Sequence, residues 1–330
     1  MKFYYSLYDL QPKKFKEKEP TPSARKGAII KVEWDSDRVG YADLHPWPEF
    51  GDEELEFHLA ELRQMRITAL VEQAIWLASI DATGRRERQN TYDNHVLLKN
   101  NAIITRIDPH TVELLDPFVK AGFSRVKIKV GKSLDEELEF LNRASLTHNI
   151  KIRLDFNSRL TFSGFERFVE DLSPEAKRQI EYVEDPFPYE AESWKKANEL
   201  LPLAIDWELK RISLREEKPV QAEVMVIKPT HEDVNARLEQ ALKWNKKMTI
   251  TSHMGHPLGV MQCAQVAQNL YKKYSNYMLD PGCLTFDLFE PTEFNSLLNI
   301  QGPYIKKVGG WGIGFDFILK SQKWNQLRTR

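Results

Sequence analysis

Three short apolar runs of this 330-residue chain end in carboxylates: RLDF carries Asp155, EYVED closes on Glu184 and Asp185, and LAID closes on Asp206. Lysines flank the set, with Lys127 and Lys129 two residues apart in RVKIKV before it and Lys228 ending AEVMVIK after it. If these runs are neighbouring parallel strands, Asp155, Glu184 and Asp206 sit side by side. That is an oxygen-only, anionic site suited to a hard divalent cation that keeps waters for a substrate to displace. Mg2+ is the expected ion, with Mn2+ as a substitute. Lys127 and Lys129 point the same way because side chains alternate along a strand, and Lys228 lies four strands round, across the mouth of a closed sheet. A carboxylate substrate held on the cation would lie between lysines. Its α-hydrogen would be acidified, since the developing enediolate is stabilised by the metal and by ammonium groups. One lysine must be neutral to take that proton. Its ordinary pKa is about 10.4, and burial beside another ammonium and a dication lowers it in the direction a general base needs.

Taken singly, each residue has a plainer reading. A strand-end carboxylate is more often a helix cap or a surface ion pair, VEDP can be a strand-to-turn junction, and a lysine in an apolar strand can reach along its stem to water. The combination argues for chemistry. Buried strands rarely end in carboxylates on three consecutive units with inward lysines on both sides.

Such residues need a scaffold that gathers strand ends. The runs NAIITRI, RVKIKV, KIRLDF, IEYVED, LPLAID, AEVMVIK, KMTITS and NYMLD read as eight strands, each but the last followed by a helical or helix-length segment. Eight parallel βα units predict an α/β chain with a (β/α) TIM-type barrel, whose strand C-termini face one site. Asp108-Pro109 opens one helix, Ser133 caps the DEELEFLNRA helix, and Pro257 sits near the start of VMQCAQVAQNL; the fifth helix is poorly marked. An open doubly wound sheet is the alternative, although no Gly-rich phosphate fingerprint follows the first strand. Before the barrel, FYYSLYDL and GAIIKVEW read as strands, and EELEFHLAELRQM and ITALVEQAIWLASIDA as helices, forming a small α+β module. The polar stretch TGRRERQNTYDNH separates the two.

Composition narrows the function class. Lys plus Arg number 47 against 48 Asp plus Glu, so no excess charge points to nucleic acid or an anionic membrane. Two cysteines, Cys263 and Cys283, make no disulfide framework. The N-terminus soon turns polar and basic, and no segment has the apolar length to span a bilayer, so a cytoplasmic protein acting on a small molecule is expected.

The ordered set VKIKVG, RLDFN, EYVEDPF, LAID and VIKPT resembles the muconate-lactonizing branch of the enolase superfamily. Within it, VMVIKPT and DPGCLTFDLF are most similar to the o-succinylbenzoate synthase family, and SARKG, GYADLHPWPEFGD and VEQAIWLASIDA fit that family's capping domain. The resemblance implies a capping lid over residues 1–98, a barrel over 99–300, and a segment 301–330 returning to the cap. It implies metal ligation by Asp155, Glu184 and Asp206. Lys129, the second lysine of the pair, would be the base that also returns a proton to the departing hydroxide, with Lys127 assisting electrostatically and Lys228 stabilising the enediolate from the opposite face. The implied reaction is the carbon–oxygen lyase step of menaquinone biosynthesis, a Mg2+-dependent syn-dehydration of 2-succinyl-6-hydroxy-2,4-cyclohexadiene-1-carboxylate to 2-succinylbenzoate, driven by aromatisation. Implied substrate contacts are Arg25 and Phe50 from the lid loops, and Asn157, Ser252 and Gly255 from the barrel.

The chain departs from the family pattern at two places. The third ligand is followed by Trp207-Glu208 where members have Glu and Ser, and the seventh strand runs Ser252-His253-Met254-Gly255-His256-Pro257-Leu258-Gly259 in place of a serine-rich run. Glu208 either replaces the missing glutamate or leaves its place unfilled, Trp207 either fills space behind the metal or touches the substrate, and His253 reads as structural. The same frame supports 1,1-proton transfer, with Lys129 and Lys228 acting alternately, as in an N-acylamino-acid racemase or dipeptide epimerase. A muconate-type cycloisomerase and a non-catalytic metal-binding relative are further alternatives.

Overall fold

The computed structural model describes residues 1–13, 24–107, 112–285 and 289–327. The alternating N-terminal run forms β1 (Lys2–Leu10), antiparallel to β2 (Arg25–Glu33) along nine residue pairs, and β2 pairs in turn with β3 (Val39–Leu44). The sequence reading did not separate β3, because VGYADL is short and carries Gly and Asp. Gly40 has a steric reason: a Cβ there would lie 1.9 Å from the Ala78 carbonyl oxygen, so only glycine lets the strand pass so close to the helix behind it. That backing comes from α1 (Leu55–Arg63) and α2 (Ala69–Arg86), the latter started by Thr68, whose hydroxyl accepts from the Val71 amide.

After the polar linker come β4 (Ala102–Ile104), α3 (Asp116–Lys120), β5 (Arg125–Lys129), α4 (Leu134–Thr147), β6 (Lys151–Asp155), α5 (Phe162–Asp171), α6 (Pro174–Gln179), β7 (Ile180–Glu184), α7 (Ala191–Leu200), β8 (Leu203–Ile205), β9 (Val224–Ile227), α8 (Val234–Lys243), β10 (Lys247–Ile250) and α9 (Pro257–Tyr274). Strands β4 to β10 form one sheet in chain order, every pairing parallel. The eighth predicted strand, NYMLD, is not a regular strand. Its segment bridges to β10 at Met248–Met278 and, just past it, at Thr251–Gly282, while the Asn101 amide donates to the Pro281 carbonyl at 3.0 Å. Residues 278–282 thus stand between β10 and β4 and close the ring.

Two helix boundaries follow the sequence, and one corrects it. Pro257 is the first residue of α9, and a 3-10 turn (Trp207–Arg211) stands where the fifth helix was poorly marked. Ser133 occupies the N-cap of α4 but makes no side-chain cap bond; the buried Glu137 carboxylate accepts from the amides of Gly131, Lys132 and Ser133 instead. Asp108-Pro109 lies outside the described residues. Inside the barrel, the fully buried Arg153 bonds Glu181 and Asn101. The chain then forms the hairpin β11 (Asn299–Gln301) and β12 (Tyr304–Lys306), α10 (Asp316–Ser321) and β13 (Asn325–Leu327). β13 pairs antiparallel with β1 and so joins the first sheet. Among the described residues no helix is long and apolar enough to cross a membrane.

Candidate active site

Parallel register places the chemistry in a row. Lys129 is paired with Asp155 across β5 and β6, and Asp155 with Glu184 across β6 and β7. Asp206 follows the last residue of β8, and Lys228 the last of β9. Sharp turns end the strands: Asn157, Ser158 and Asp185 have positive φ values of 49°, 57° and 37°. Asp185 is not a spare carboxylate. It accepts from the amides of Asp206 (3.0 Å) and Trp207 (2.7 Å), fixing the start of the turn that carries both side chains.

Lys127 reaches both Asp155, at 2.9 Å, and Glu184, while Lys129 lies 3.6 Å from Asp155 and Lys228 contacts Asp206. Burial works to lower Lys127, but the charges of Asp155 and Glu184 outweigh it and hold the ammonium above the ordinary lysine value. For Lys129 burial prevails over Asp155, and the pKa is lowered. Burial, with the charge of Lys127, pushes Lys228 down to about 8. Burial alone would raise Asp155, yet Lys127 and Lys129 bring it down to about 2.

Among the described residues no trio of His, Cys, Asp or Glu side chains is gathered into a ready cation cage; Lys127 and Lys228 lie on the carboxylates instead. The residues nevertheless fit a hard cation. The donors are all carboxylate oxygens on adjacent strands, and Glu184 Oε1 is buried without a hydrogen-bond partner.

A cavity of about 50 Å3 opens over this row, lined among others by Lys127, Lys129, Asp155, Asn157, Asp206, Lys228, Ser252 and Phe50. Phe50 comes from the capping module, where the loop from Trp47 to Asp52 lies over the barrel mouth. Its ring stacks on Trp207 at 4.4 Å with a 5° interplanar angle, and Trp47 meets both edge-on. Asp52 holds the loop down, accepting from the Trp47 amide at 2.8 Å and pairing with Lys210 at 3.1 Å.

Other predicted contacts stand elsewhere. Glu184 is fully buried, contacts Lys127 and does not line the cavity. Arg25 stacks over Trp47, its Cζ 3.5 Å from the ring centroid, and does not line the cavity. Gly255 borders a separate cavity of about 10 Å3 with His45, His253 and His256. Ser252 reaches the main cavity, although its hydroxyl donates to the Cys283 carbonyl at 2.9 Å. Glu208 faces away from the cavity: it accepts from Ser158 and the Tyr189 amide and pairs with Arg211. Trp47, Asn101, Ile103, Thr251 and Thr285 line the cavity and were not singled out from the sequence. For Asn101 and Thr251 the available signal was their place at the edge of a predicted strand.

Residues 3–84 match the family described as O-succinylbenzoate synthase, N-terminal domain, and residues 110–318 the family described as Enolase C-terminal domain-like. The chain is 38% identical over 330 residues to the o-succinylbenzoate synthase of Bdellovibrio bacteriovorus, covering 100% of both. It is 26% identical over 322 residues to that of Pasteurella multocida, covering 85% of this chain and 90% of the relative. Among solved structures, an N-succinyl Arg/Lys racemase from Bacillus cereus matches with a TM-score of 0.76 at 16% identity over 98% of both chains. A dipeptide epimerase from Cytophaga hutchinsonii, complexed with Mg and a dipeptide, matches with a TM-score of 0.73 at 16% identity over 99% of both. At these identities the structural likeness speaks to fold: a barrel with an N-terminal module.

Proposed function

This chain belongs to the o-succinylbenzoate synthase family of the enolase superfamily, and from that membership we propose how its own residues carry out the family's dehydration. The observation that carries the reading is that Lys129, Asp155, Asp206 and Lys228 line one cavity, with Glu184 beside Asp155 in the register of β6 and β7.

Asp155, Glu184 and Asp206 would hold Mg2+, or Mn2+ in its place. The bound ion supplies positive charge at the substrate carboxylate and so acidifies the adjacent C–H bond. Lys129, buried and held toward its neutral form, takes that α-proton. The electron pair left behind becomes the enediolate, which the Lys228 ammonium stabilises from across the cavity. Lys129, now an ammonium, gives the proton to the hydroxyl leaving C6; the C–O bond breaks, water departs and the ring becomes aromatic. One base serves both half-steps because the leaving proton and hydroxyl share a face, which makes the elimination syn. Lys127, fixed between Asp155 and Glu184, stays charged and adds to the field. The enzyme is thus a carbon–oxygen lyase that makes 2-succinylbenzoate, the aromatic precursor in menaquinone biosynthesis.

The placement of Lys129 and Lys228 on one cavity also suits alternating proton transfer, so a racemase activity is the second reading. Both are tested by following the cyclohexadiene absorbance of 2-succinyl-6-hydroxy-2,4-cyclohexadiene-1-carboxylate with purified protein, with Mg2+ and then with excess chelator. Metal-dependent loss of absorbance is expected. Its absence, together with α-deuterium exchange into N-succinylamino acids in deuterated water, would replace the lyase by the racemase.

A further inference from the structure

We propose that Trp207 is a specificity-determining residue: its indole face is the surface on which the unsaturated ring of the substrate stacks, and Phe50 covers that face until substrate enters. This rests on the dehydration reading above, since it assigns the ring of that substrate to a place in the cavity.

The geometry makes Phe50 a stand-in for a planar ligand. It lies parallel to Trp207 at 4.4 Å and 5°, whereas Trp47 meets the two rings at 67° and 72°. Trp207 and Phe50 line the same cavity as Lys129, Asp155 and Lys228, and the Lys228 ammonium lies 4.9 Å from the Trp207 ring centroid. A ring on Trp207 is therefore within reach of the proposed acid–base groups. About 50 Å3 of space remains, far below the roughly 300 Å3 or more of pockets that enclose ligands of this size. One of the stacked rings must give way.

The two rings are not equally fixed. Trp207 is anchored through its backbone, whose amide donates to the buried Asp185 carboxylate at 2.7 Å. Phe50 is 39% exposed at the end of a three-residue turn next to Gly51, whose φ is 88°, so its ring can swing outward while the Asp52–Lys210 pair at 3.1 Å keeps the rest of the loop in place. Phe50 is the partner that moves, and its departure uncovers a flat aromatic face. The conjugated C2–C5 face of the diene, and the whole benzene ring of the product, can repeat that stack; an aliphatic acylamino acid has no unsaturated ring to place there. The surface thus favours ring substrates over those of the alternative proton-transfer chemistry.

The test compares the Mg2+-loaded wild type with Trp207→Leu and Trp207→Phe. Steady-state turnover of the cyclohexadiene substrate is combined with 2-succinylbenzoate binding, read by calorimetry and by tryptophan emission. Trp207→Leu is expected to raise KM and the product Kd about ten-fold with a smaller effect on kcat, and Trp207→Phe to recover most of that loss. Product is expected to quench wild-type emission, and the quench to fall by more than half in Trp207→Phe, a variant that preserves packing should the leucine fail to fold. A KM unchanged in Trp207→Leu, or a quench undiminished in Trp207→Phe, overturns the proposal while leaving the dehydration intact. Wild-type protein that binds and is quenched by 2-succinylbenzoate through Trp207 without dehydrating its precursor would sink the dehydration and retain the aromatic platform. Failure of both binding and turnover removes both.

Discussion

Lys129 and Lys127 leave the same face of β5, yet their surroundings divide their work. Lys127 sits between Asp155 and Glu184 and is held charged; Lys129, 3.6 Å from Asp155 and at the end of its strand, is pushed by burial toward the neutral form a base requires. Lys129→Ala should therefore lower kcat for dehydration by roughly 10²- to 10⁴-fold, the span of general acid–base contributions. Mg2+ binding by calorimetry should survive, and residual turnover within ten-fold of wild type would remove Lys129 from the role. The period of two in RVKIKV shows in the sequence that the lysines share a face. It cannot show depth along the barrel, and depth is what separates them. The strand-end pattern was enough to bring Lys129, Asp155, Asp206 and Lys228 to one cavity because it depends only on local alternation and parallel pairing. Trp47 and Thr285 were illegible for the opposite reason: they arrive from a lid loop and from the segment after the ring closure, and nothing local to them records what they face.

At the scale of elements, the loop after β5 shows why a motif can mislead. Ser133 precedes an acidic, amphipathic helix and reads as its cap, but the amides of Gly131, Lys132 and Ser133 all converge on Glu137 at 2.7, 2.9 and 3.2 Å. A carboxylate accepting three backbone hydrogen bonds at a helix start is favoured by charge and by the helix dipole, and Glu137 is only 4% exposed. Glu137→Ala should cost about 2 kcal/mol and Ser133→Ala less than about 0.5 kcal/mol in urea unfolding. The reverse order would return the cap to Ser133. Short runs such as KIRLD and IEYVE declared their strands because their apolar residues Ile152, Leu154, Ile180, Tyr182 and Val183 are interleaved with polar ones and are all buried. NYMLD did not become a regular strand, since only isolated bridges tie its segment to β10. β3 escaped notice because its Gly40 and Asp43 answer to contacts with α2 and α9 rather than to strand propensity.

Across the whole molecule, cap and barrel meet along buried polar groups, and one of them titrates where stability can report it. Asp43 on β3 is packed so closely against α9 that a Cβ on Gly259 would lie 2.4 Å from its Oδ2. Tyr8 donates to its Oδ1 at 2.5 Å, and the same Tyr8 hydroxyl lies 2.8 Å from His45 Nδ1 and its ring 4.4 Å from His256. Burial raises the Asp43 carboxyl to about 7, the Tyr8 hydrogen bond only partly opposing it. Burial also holds His45 well below its ordinary value, toward its neutral form, and brings His256 down to about 3, which keeps that ring neutral between pH 5 and 8. Asp43 is then the group of this cluster that changes charge in that window. Its folded pKa exceeds the unfolded one, so the protonated form is favoured by folding. That contribution is complete below the unfolded pKa and is lost as pH rises through about 7. Between pH 5 and pH 8 the wild type should lose roughly 2–3 kcal/mol relative to Asp43→Asn, which carries no titrating group there. Urea midpoints of the two proteins across that range decide it. A constant difference would mean that Asp43 is already ionised in the fold, paired through Tyr8 as an anion, and that the cap is seated on a charge rather than on a neutral acid.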